Sequence, residues 1–263
     1  MSLAQPLRTG ISFLSHVASI SRLGVQILYW TFIAPMRGKT YTMREVSFQM
    51  DRAGIKSFPI IALVMFLIGV ILVLQTAYLV EPLGQLNLVP GAVAVSITRE
   101  IGPLIVAIVV TGRVGAAYAA ELGSQKVSNE IMALQCMAIN PIGFLIAPRF
   151  LALIIMLPIL TVYGTGMGIF GGYLIGTWHY GISSNVYLDV TFDMMNMKDL
   201  LSGALKSLVF AVVICLVGCY KGFTVKDGST GVGKGTMEAV VTSIVLIIAS
   251  DAIFTALMIM YWP

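Results

Sequence analysis

The chain has 263 residues, of which 58% are hydrophobic and only 11% are charged, and its formal net charge is +4. Soluble domains carry about 25% charged residues. This composition, with a mean hydropathy of +0.93, therefore excludes a soluble protein and predicts an all-α integral membrane protein with about five or six spans. The small positive charge is better explained by membrane orientation than by a nucleic-acid surface, so no nucleic-acid partner is expected.

Residues 1–57 are predicted to form an N-terminal amphipathic interfacial helix and a connector, followed by a five-span region at 58–263. Apolar and polar residues alternate at helical spacing over 8–34, which is typical of a helix lying in the membrane interface. Arg8, His16 and Arg22 interrupt this stretch, so a cleaved signal peptide is not expected. The connector, 37–56, is rich in positive charge.

Five spans are predicted in chain order. The first, 58–80, has 23 residues and no charge, which corresponds to about 35 Å of helix. The others are expected at about 92–120, 144–178, 201–220 and 236–261, with the third broken by Pro148 and Pro158. Polar loops are expected at 121–141, 179–199 and 221–235.

The distribution of Lys and Arg predicts the orientation. Twelve of them lie in the N-terminal region, in 121–149 and in 221–235, whereas Lys198 and Lys206 are assigned to the other side. Positive charge is enriched on cytoplasmic loops. The N-terminus and the two basic segments are therefore predicted to be cytoplasmic, and five spans place the C-terminus outside.

Glycine recurs every fourth residue at Gly164, Gly168, Gly172 and Gly176 in the third span. Such a stripe permits very close helix contact. It predicts packing within the subunit or across a dimer, with a flexing or lipid-facing groove as the alternative.

Arg99 and Glu100 lie near the predicted outer end of the second span. Ionisable groups in a bilayer usually mark a pathway or a buried contact. One interpretation is a structural ion pair or an Arg that reaches the interface. The other is a cavity that admits a polar head group, because Arg forms charge-assisted hydrogen bonds with phosphate. Gln75 and Tyr78 of the first span either line the same cavity or belong to an interfacial aromatic belt.

Other ionisable and polar residues give weaker signals. Asp251 or Glu238 in the last span is a candidate partner for the buried Arg113. Residues 228–236 resemble a phosphate-binding loop, but Gly235 occupies the position of the required hydroxyl, so nucleotide binding is not expected. Neither a catalytic constellation nor a metal-ligand spacing is found, and Cys215 and Cys219 are expected simply to pack.

The loop at 121–141 carries an apolar stripe. Val127, Ile131, Leu134 and Ala138 recur at helical spacing. A solvated loop needs no such stripe, so the pattern predicts docking on a cytoplasmic partner.

These motifs together resemble the MlaE-like (MlaE/YrbE) permease family, the membrane subunits of lipid-transporting ABC systems that work with MCE-domain proteins. The matching elements, in family order, are Thr98–Pro103, Gly112–Ala116, Ala120–Gly123, Asn140–Pro141, Pro148–Arg149, Gly168–Gly172, Gly222–Val225 and Gly231–Gly233. They extend over roughly residues 55–255.

The resemblance implies a homodimeric ABC permease with an N-terminal elbow helix and five transmembrane helices per subunit, in the bacterial inner membrane. It implies no catalytic activity and no cofactor in this chain, with ATP and Mg in a cytoplasmic MlaF-like ATPase. A periplasmic MlaD-like MCE protein forms a tunnel for phospholipid, and a MlaB-like STAS-domain protein is a further expected partner. ATP hydrolysis is expected to compress a lipid cavity at the dimer interface.

Two sets of residues are assigned by this resemblance. The lipid site is expected at Leu74, Gln75, Tyr78, Leu79, Arg99 and Glu100. Contact with the ATPase is expected from a coupling helix within 121–141, through Glu121, Lys126, Val127, Glu130, Ile131 and Leu134. Met132 and Gln135 replace two acidic residues of the family pattern, so the ATPase contact is expected to depend more on apolar packing.

Two other functions remain as alternatives. An ion-driven secondary transporter would use Glu100, Glu238 or Asp251 as proton carriers, but no internal repeat is found. A membrane enzyme acting on lipids would need an acidic or His cluster, which the sequence lacks. The direction of transport and the lipid class stay open.

Overall fold

The computed structural model describes residues 22–34, 42–226 and 228–261, and these residues form helices and short connections without a strand. The regular α-helices after residue 42 are α1 Met43–Ala53, α2 Phe58–Val80, α3 Val89–Ser96, α4 Gly102–Val110, α5 Ala116–Val127, α6 Glu130–Cys136, α7 Ala147–Trp178, α8 Ser184–Met194, α9 Met197–Thr224 and α10 Gly228–Tyr261. Five helical stretches are long and apolar enough to cross a membrane. The predicted five-span all-α architecture is confirmed.

The N-terminal helix falls mostly outside the described residues. Residues 22–28 are helical and a π-helical turn, Tyr29–Ile33, follows. The connector contains a helix that was not predicted, α1, which packs on α7. The predicted first span coincides with α2. Pro59 lies in the first turn of α2, where a residue without a backbone N–H is tolerated.

The second span is one long helical stretch, Leu86–Val127, and extends beyond the predicted 92–120 at both ends. Two π-helical turns, Ile97–Ile101 and Thr111–Gly115, interrupt its regular geometry. They coincide with the Arg99–Glu100 motif and with Arg113. Such turns inside helices are frequent at functional sites.

Three other boundary predictions are wrong. The third span is not broken at its prolines, because Pro148 lies in the first turn of α7 and Pro158 is accommodated inside a continuous helix. The polar loop 179–199 contains helix α8. The glycine-rich segment 228–235 begins α10 instead of forming a loop, so the turn after α9 is short.

The glycine stripe packs within the subunit. Helix α7 contacts α2 along its length, and Gly69 of α2 faces Gly168 so closely that a Cβ on Gly69 would lie 1.8 Å from the Gly168 carbonyl oxygen. At the other end of the stripe, the Tyr187 ring fills the space over Gly172 and Gly176. The expectation of intrasubunit contact is confirmed. In the most apolar part of each span, 61% of the third-span residues are buried, against 28% and 11% for the first and last spans.

Candidate functional site

A polar pocket of about 390 Å³ opens beside Arg99 of the second span. Its other polar lining comes from the start of α9, where Asn196 and Asp199 form a capping box. The Arg99 guanidinium is 3.6 Å from the Asp199 carboxylate. About 38% of the Arg99 side chain remains exposed, so its charge is only partly satisfied inside the subunit and can meet an anionic group.

A buried cation lies beside this pocket. Lys206 of α9 is 1% exposed, and its Nζ is 2.5 Å from Glu100 and 3.0 Å from Asp251 of α10. Thr255, one turn after Asp251, accepts a hydrogen bond from Lys206 and donates one to Glu100. These four residues form the Lys206 cluster, which joins the second, fourth and fifth spans.

The Lys206 cluster corrects two predictions. Arg113 does not pair with Asp251 or Glu238; it donates a hydrogen bond of 2.6 Å to Ser57. Glu238 pairs with Lys221 instead. Lys206 is not a charge of the outer loop, because it points into the helix bundle. Glu100 therefore has an internal cation, whereas Arg99 faces the pocket.

The four predicted lipid-site residues of the first span lie on the outside of the subunit. Leu74, Tyr78 and Leu79 are exposed, with Tyr78 71% accessible, and Gln75 is also exposed. None of them lines the Arg99 pocket within the described chain. The subunit thus brings Arg99 and Glu100 together and leaves the first-span set on its free surface.

Glu121 joins three elements at the other end of the second span. Its carboxylate accepts hydrogen bonds from Arg52 of α1 and, at 3.0 Å, from Arg149 of α7. Arg149 is buried, and its guanidinium lies over the Tyr118 ring. Glu121, which is predicted to contact the ATPase, therefore forms ion pairs within the subunit.

Of the other predicted coupling residues, some form hydrogen bonds within the subunit and others differ in how far they are exposed. Lys126 donates to the Phe223 carbonyl, and Glu130 accepts from Ser128 at 2.9 Å. Ile131 is buried, Leu134 is half-buried and Val127 is exposed. The predicted stripe does not continue along one helix, because Asn129 and Ala138 adopt positive φ angles and limit α6 to Glu130–Cys136.

Sequence reasoning missed Lys206, Asp199 and Thr255. A lysine within an apolar stretch such as 203–217 is a site candidate in its own right, whereas the charge distribution of the loops treats Lys206 only as a flanking charge. Thr255 follows Asp251 by four residues, which places both on one helix face. Asn196 and Asp199 have the three-residue spacing of a capping box.

Comparison with known proteins assigns the chain to a family. The model described as Permease MlaE matches residues 46–257. The chain belongs to the MlaE permease family. The match includes both the Lys206 cluster and the Glu121 contacts, so the family resemblance found in the sequence is confirmed.

Several relatives of this MlaE-family permease have descriptive names. A probable ABC transporter permease protein of Rickettsia typhi is 36% identical over 228 residues, covering 87% of this chain and 86% of the relative. TRIGALACTOSYLDIACYLGLYCEROL 1, a chloroplastic protein of Arabidopsis thaliana, is 34% identical over 221 residues, covering 84% and 63%. The intermembrane phospholipid transport system permease protein MlaE of Haemophilus influenzae is 32% identical over 211 residues, covering 80% and 81%.

Proposed function

We propose that this permease is the membrane subunit of an ABC transporter that moves phospholipids between the bacterial inner membrane and the tunnel of an MCE protein, and so maintains outer-membrane lipid asymmetry. The name of the Haemophilus influenzae relative supports phospholipid as the cargo. The observation that carries the proposal is the Arg99 pocket, where a half-exposed guanidinium faces a polar cavity next to an apolar bundle. This arrangement suits a molecule with an anionic head and apolar tails.

In this proposal, two copies of the chain form a homodimer whose exposed first-span surfaces face a shared outward-open cavity. Leu74, Tyr78 and Leu79 supply apolar contact for acyl chains, and Gln75 supplies a polar group. Arg99 binds the lipid phosphate. Lys206 neutralises Glu100, which lowers the repulsion that an unpaired carboxylate would exert on an anionic head group.

Energy is proposed to come from a MlaF-like ATPase that binds ATP and Mg and contacts the cytoplasmic side around α6. Val127 and Leu134 offer apolar surface there, and Ile131 anchors α6 to the subunit. The MlaD-like MCE protein lies on the periplasmic side, and a MlaB-like STAS-domain protein is a further partner of the ATPase. The N-terminus is proposed to be cytoplasmic and the C-terminus periplasmic.

Lipid transfer by the reconstituted complex tests this function. The chain, its ATPase and its MCE protein are placed in liposomes, and transfer of a fluorescent phospholipid is measured with and without ATP. Arg99→Gln removes the phosphate donor and is expected to reduce transfer about tenfold or more. Arg99→Lys keeps the charge but not the bidentate hydrogen-bonding geometry, so its transfer rate is expected to lie between those of the wild type and Arg99→Gln.

Two results would contradict the proposal. Undiminished transfer by Arg99→Gln would show that the pocket does not bind the head group. Transfer driven by an ion gradient without ATPase, and abolished by Asp251→Asn, would support the secondary transporter instead.

A further inference from the structure

A second polar cavity, of about 310 Å³, lies between α1 and the second span at the end opposite the Arg99 pocket. Arg113 is 14 residues after Arg99 in one continuous helical stretch, which separates the two regions by about 20 Å. The charged and polar lining of this cavity is Gln49, Arg52, Lys56, Arg113, Tyr118 and Glu121. None of these residues was assigned to a lipid site from the sequence.

The lining carries more positive than negative charge. Glu121 is its one carboxylate, and that group is shared between Arg52 and Arg149. Arg113 is half-buried and hydrogen-bonds to the neutral Ser57, and no carboxylate of the described chain lies within ion-pair distance of it. A partly desolvated guanidinium without a counter-ion is costly, so the cavity favours an anionic occupant.

Two buried polar groups in this cavity lack partners. Gln49 is 4% exposed and its amide oxygen has no hydrogen-bond partner, and Tyr118 is 3% exposed and its hydroxyl has none among the described residues. Both side chains line the cavity. A phenol donates to an anionic oxygen, and rotation of the Gln49 amide presents its NH2 group as a second donor. Buried polar atoms normally have partners, so an occupant with several acceptor oxygens would satisfy both.

The position of the cavity indicates a lipid as the source of this anion. Ser57, which binds Arg113, directly precedes the uncharged first span. Helix α1 exposes Met43 and Phe48, and the chain beyond it exposes Ile55, Ile60 and Leu63 on both sides of Ser57. These apolar side chains place the cavity at the level where the head groups of a bilayer lie.

We propose that this cavity binds the phosphate of an anionic phospholipid in the leaflet opposite the Arg99 pocket. Arg113 supplies the charge, since Lys56 already pairs with Asp51 at 3.3 Å. Tyr118 and Gln49 donate hydrogen bonds, and the acyl chains lie along the exposed face of α2. The bound lipid occupies the space next to the Arg52–Glu121 contact and so holds α1 against the second span. This site is distinct from the proposed transport pocket and does not depend on the transport function.

Lipid binding to the isolated full-length chain tests the proposal. The probe is phosphatidylglycerol, titrated into detergent-solubilised protein and counted by native mass spectrometry, with phosphatidylcholine as the zwitterionic comparison. Arg113→Gln is expected to weaken binding of one phosphatidylglycerol per chain about tenfold or more. Tyr118→Phe removes one oxygen atom, keeps the ring packing, and is expected to weaken binding severalfold. Arg44→Gln is the matched control, since it removes an equal charge from an exposed position of α1 outside the cavity.

Three outcomes would overturn the proposal. Equal weakening by Arg44→Gln and Arg113→Gln would indicate general attraction to the membrane surface and no specific site. Displacement of phosphatidylglycerol by millimolar inorganic phosphate would make the occupant a soluble anion. If the isolated chain binds no phosphatidylglycerol and the cavity is filled only when the ATPase is present, the occupant is an acidic side chain of that partner. Because no transport is measured, failure here is distinguishable from failure of the proposed function.

Discussion

Lys206 and its partners form a buried ionic cluster. Lys206 is 1% exposed in an apolar bundle, with Glu100 and Asp251 within 3.0 Å, and Thr255 accepts a further hydrogen bond from it. Removing one member of a buried ion pair leaves an uncompensated charge, which costs more than the pair contributes. The Lys206 cluster is thus a point at which single substitutions have large effects.

Lys206→Met is expected to destabilise the permease by about 3–5 kcal/mol, because two carboxylates lose their cation. Asp251→Asn is expected to cost less, since Glu100 still neutralises Lys206. Thermal unfolding in detergent measures both. Lys234→Met, at an exposed position of α10, serves as the control and should have little effect. Equal unfolding temperatures for Lys206→Met and Lys234→Met would disprove the structural role of the cluster.

Tyr187 of α8 is a buried phenol. Its burial raises the pKa of the phenol from 10.0 to about 12. Since the folded state holds its proton more tightly, the stabilisation is complete below pH 10 and is lost as the pH rises from about 10 to 12. We expect the free energy of unfolding to fall by about 2–3 kcal/mol over this range. Denaturant unfolding of Tyr187→Phe, compared with the wild type, should lack this component; an identical pH dependence would contradict the assignment.

Helices α2 and α7 make direct backbone contact. Helices α2 and α7 approach through Gly69 and Gly168, where backbone meets backbone. In lipid, helix association depends on such close packing, since burial of apolar surface adds little. The sequence pattern identified the stripe on α7, but not Gly69, which is an isolated glycine in α2.

Gly69→Ala is expected to destabilise the fold by several kcal/mol, because the new methyl group would lie 1.8 Å from a backbone oxygen that cannot move aside. Gly166→Ala, on α7 with open space around it, is the matched control and should be neutral. Thermal unfolding and the yield of folded protein report the difference. Equal unfolding temperatures for Gly69→Ala and Gly166→Ala would show that α2 and α7 are further apart than the Gly69–Gly168 contact requires.

The whole molecule is an asymmetric bundle with a buried third span and two outer spans that keep most of their apolar surface exposed. Two levels of its second span carry different sets of charges: Arg99 and Glu100 at one, Arg113 and Glu121 at the other. This polarity gives the permease two chemically distinct faces. Its orientation in the membrane then decides which face meets which partner.

The three cysteines allow that orientation to be measured. Cys136 is exposed at the end of α6, whereas Cys215 and Cys219 are buried within α9. A membrane-impermeant maleimide is therefore expected to add one label per native chain, and only from the cytoplasmic side. Mass shifts in inside-out and right-side-out vesicles measure this, with Cys136→Ser as the unlabelled control. Labelling from the outside would reverse the predicted topology.

Hydropathy and motif order are enough to establish the class, the family and most span positions. An apolar stretch that crosses a bilayer must be helical, because every backbone group has to be hydrogen-bonded within its own segment. Helix α2 accordingly begins and ends where the hydropathy pattern predicts. Loops were less predictable: 179–199 and 228–235 have polar or glycine-rich composition, yet Ser184–Met194 and the start of α10 are helical.

Which charges form ion pairs depends on the folded arrangement of the helices. Local spacing gave no reason for Glu100 to choose Lys206, or for Glu121 to choose Arg52 and Arg149, because these partners are separated by 28 to 106 residues. Ion pairing in a bundle follows from which helix faces turn inward, and that depends on packing at contacts such as Gly69–Gly168. The cavity around Arg113 is the same kind of product: its donors come from α1 and the second span, which are neighbours only in the folded molecule.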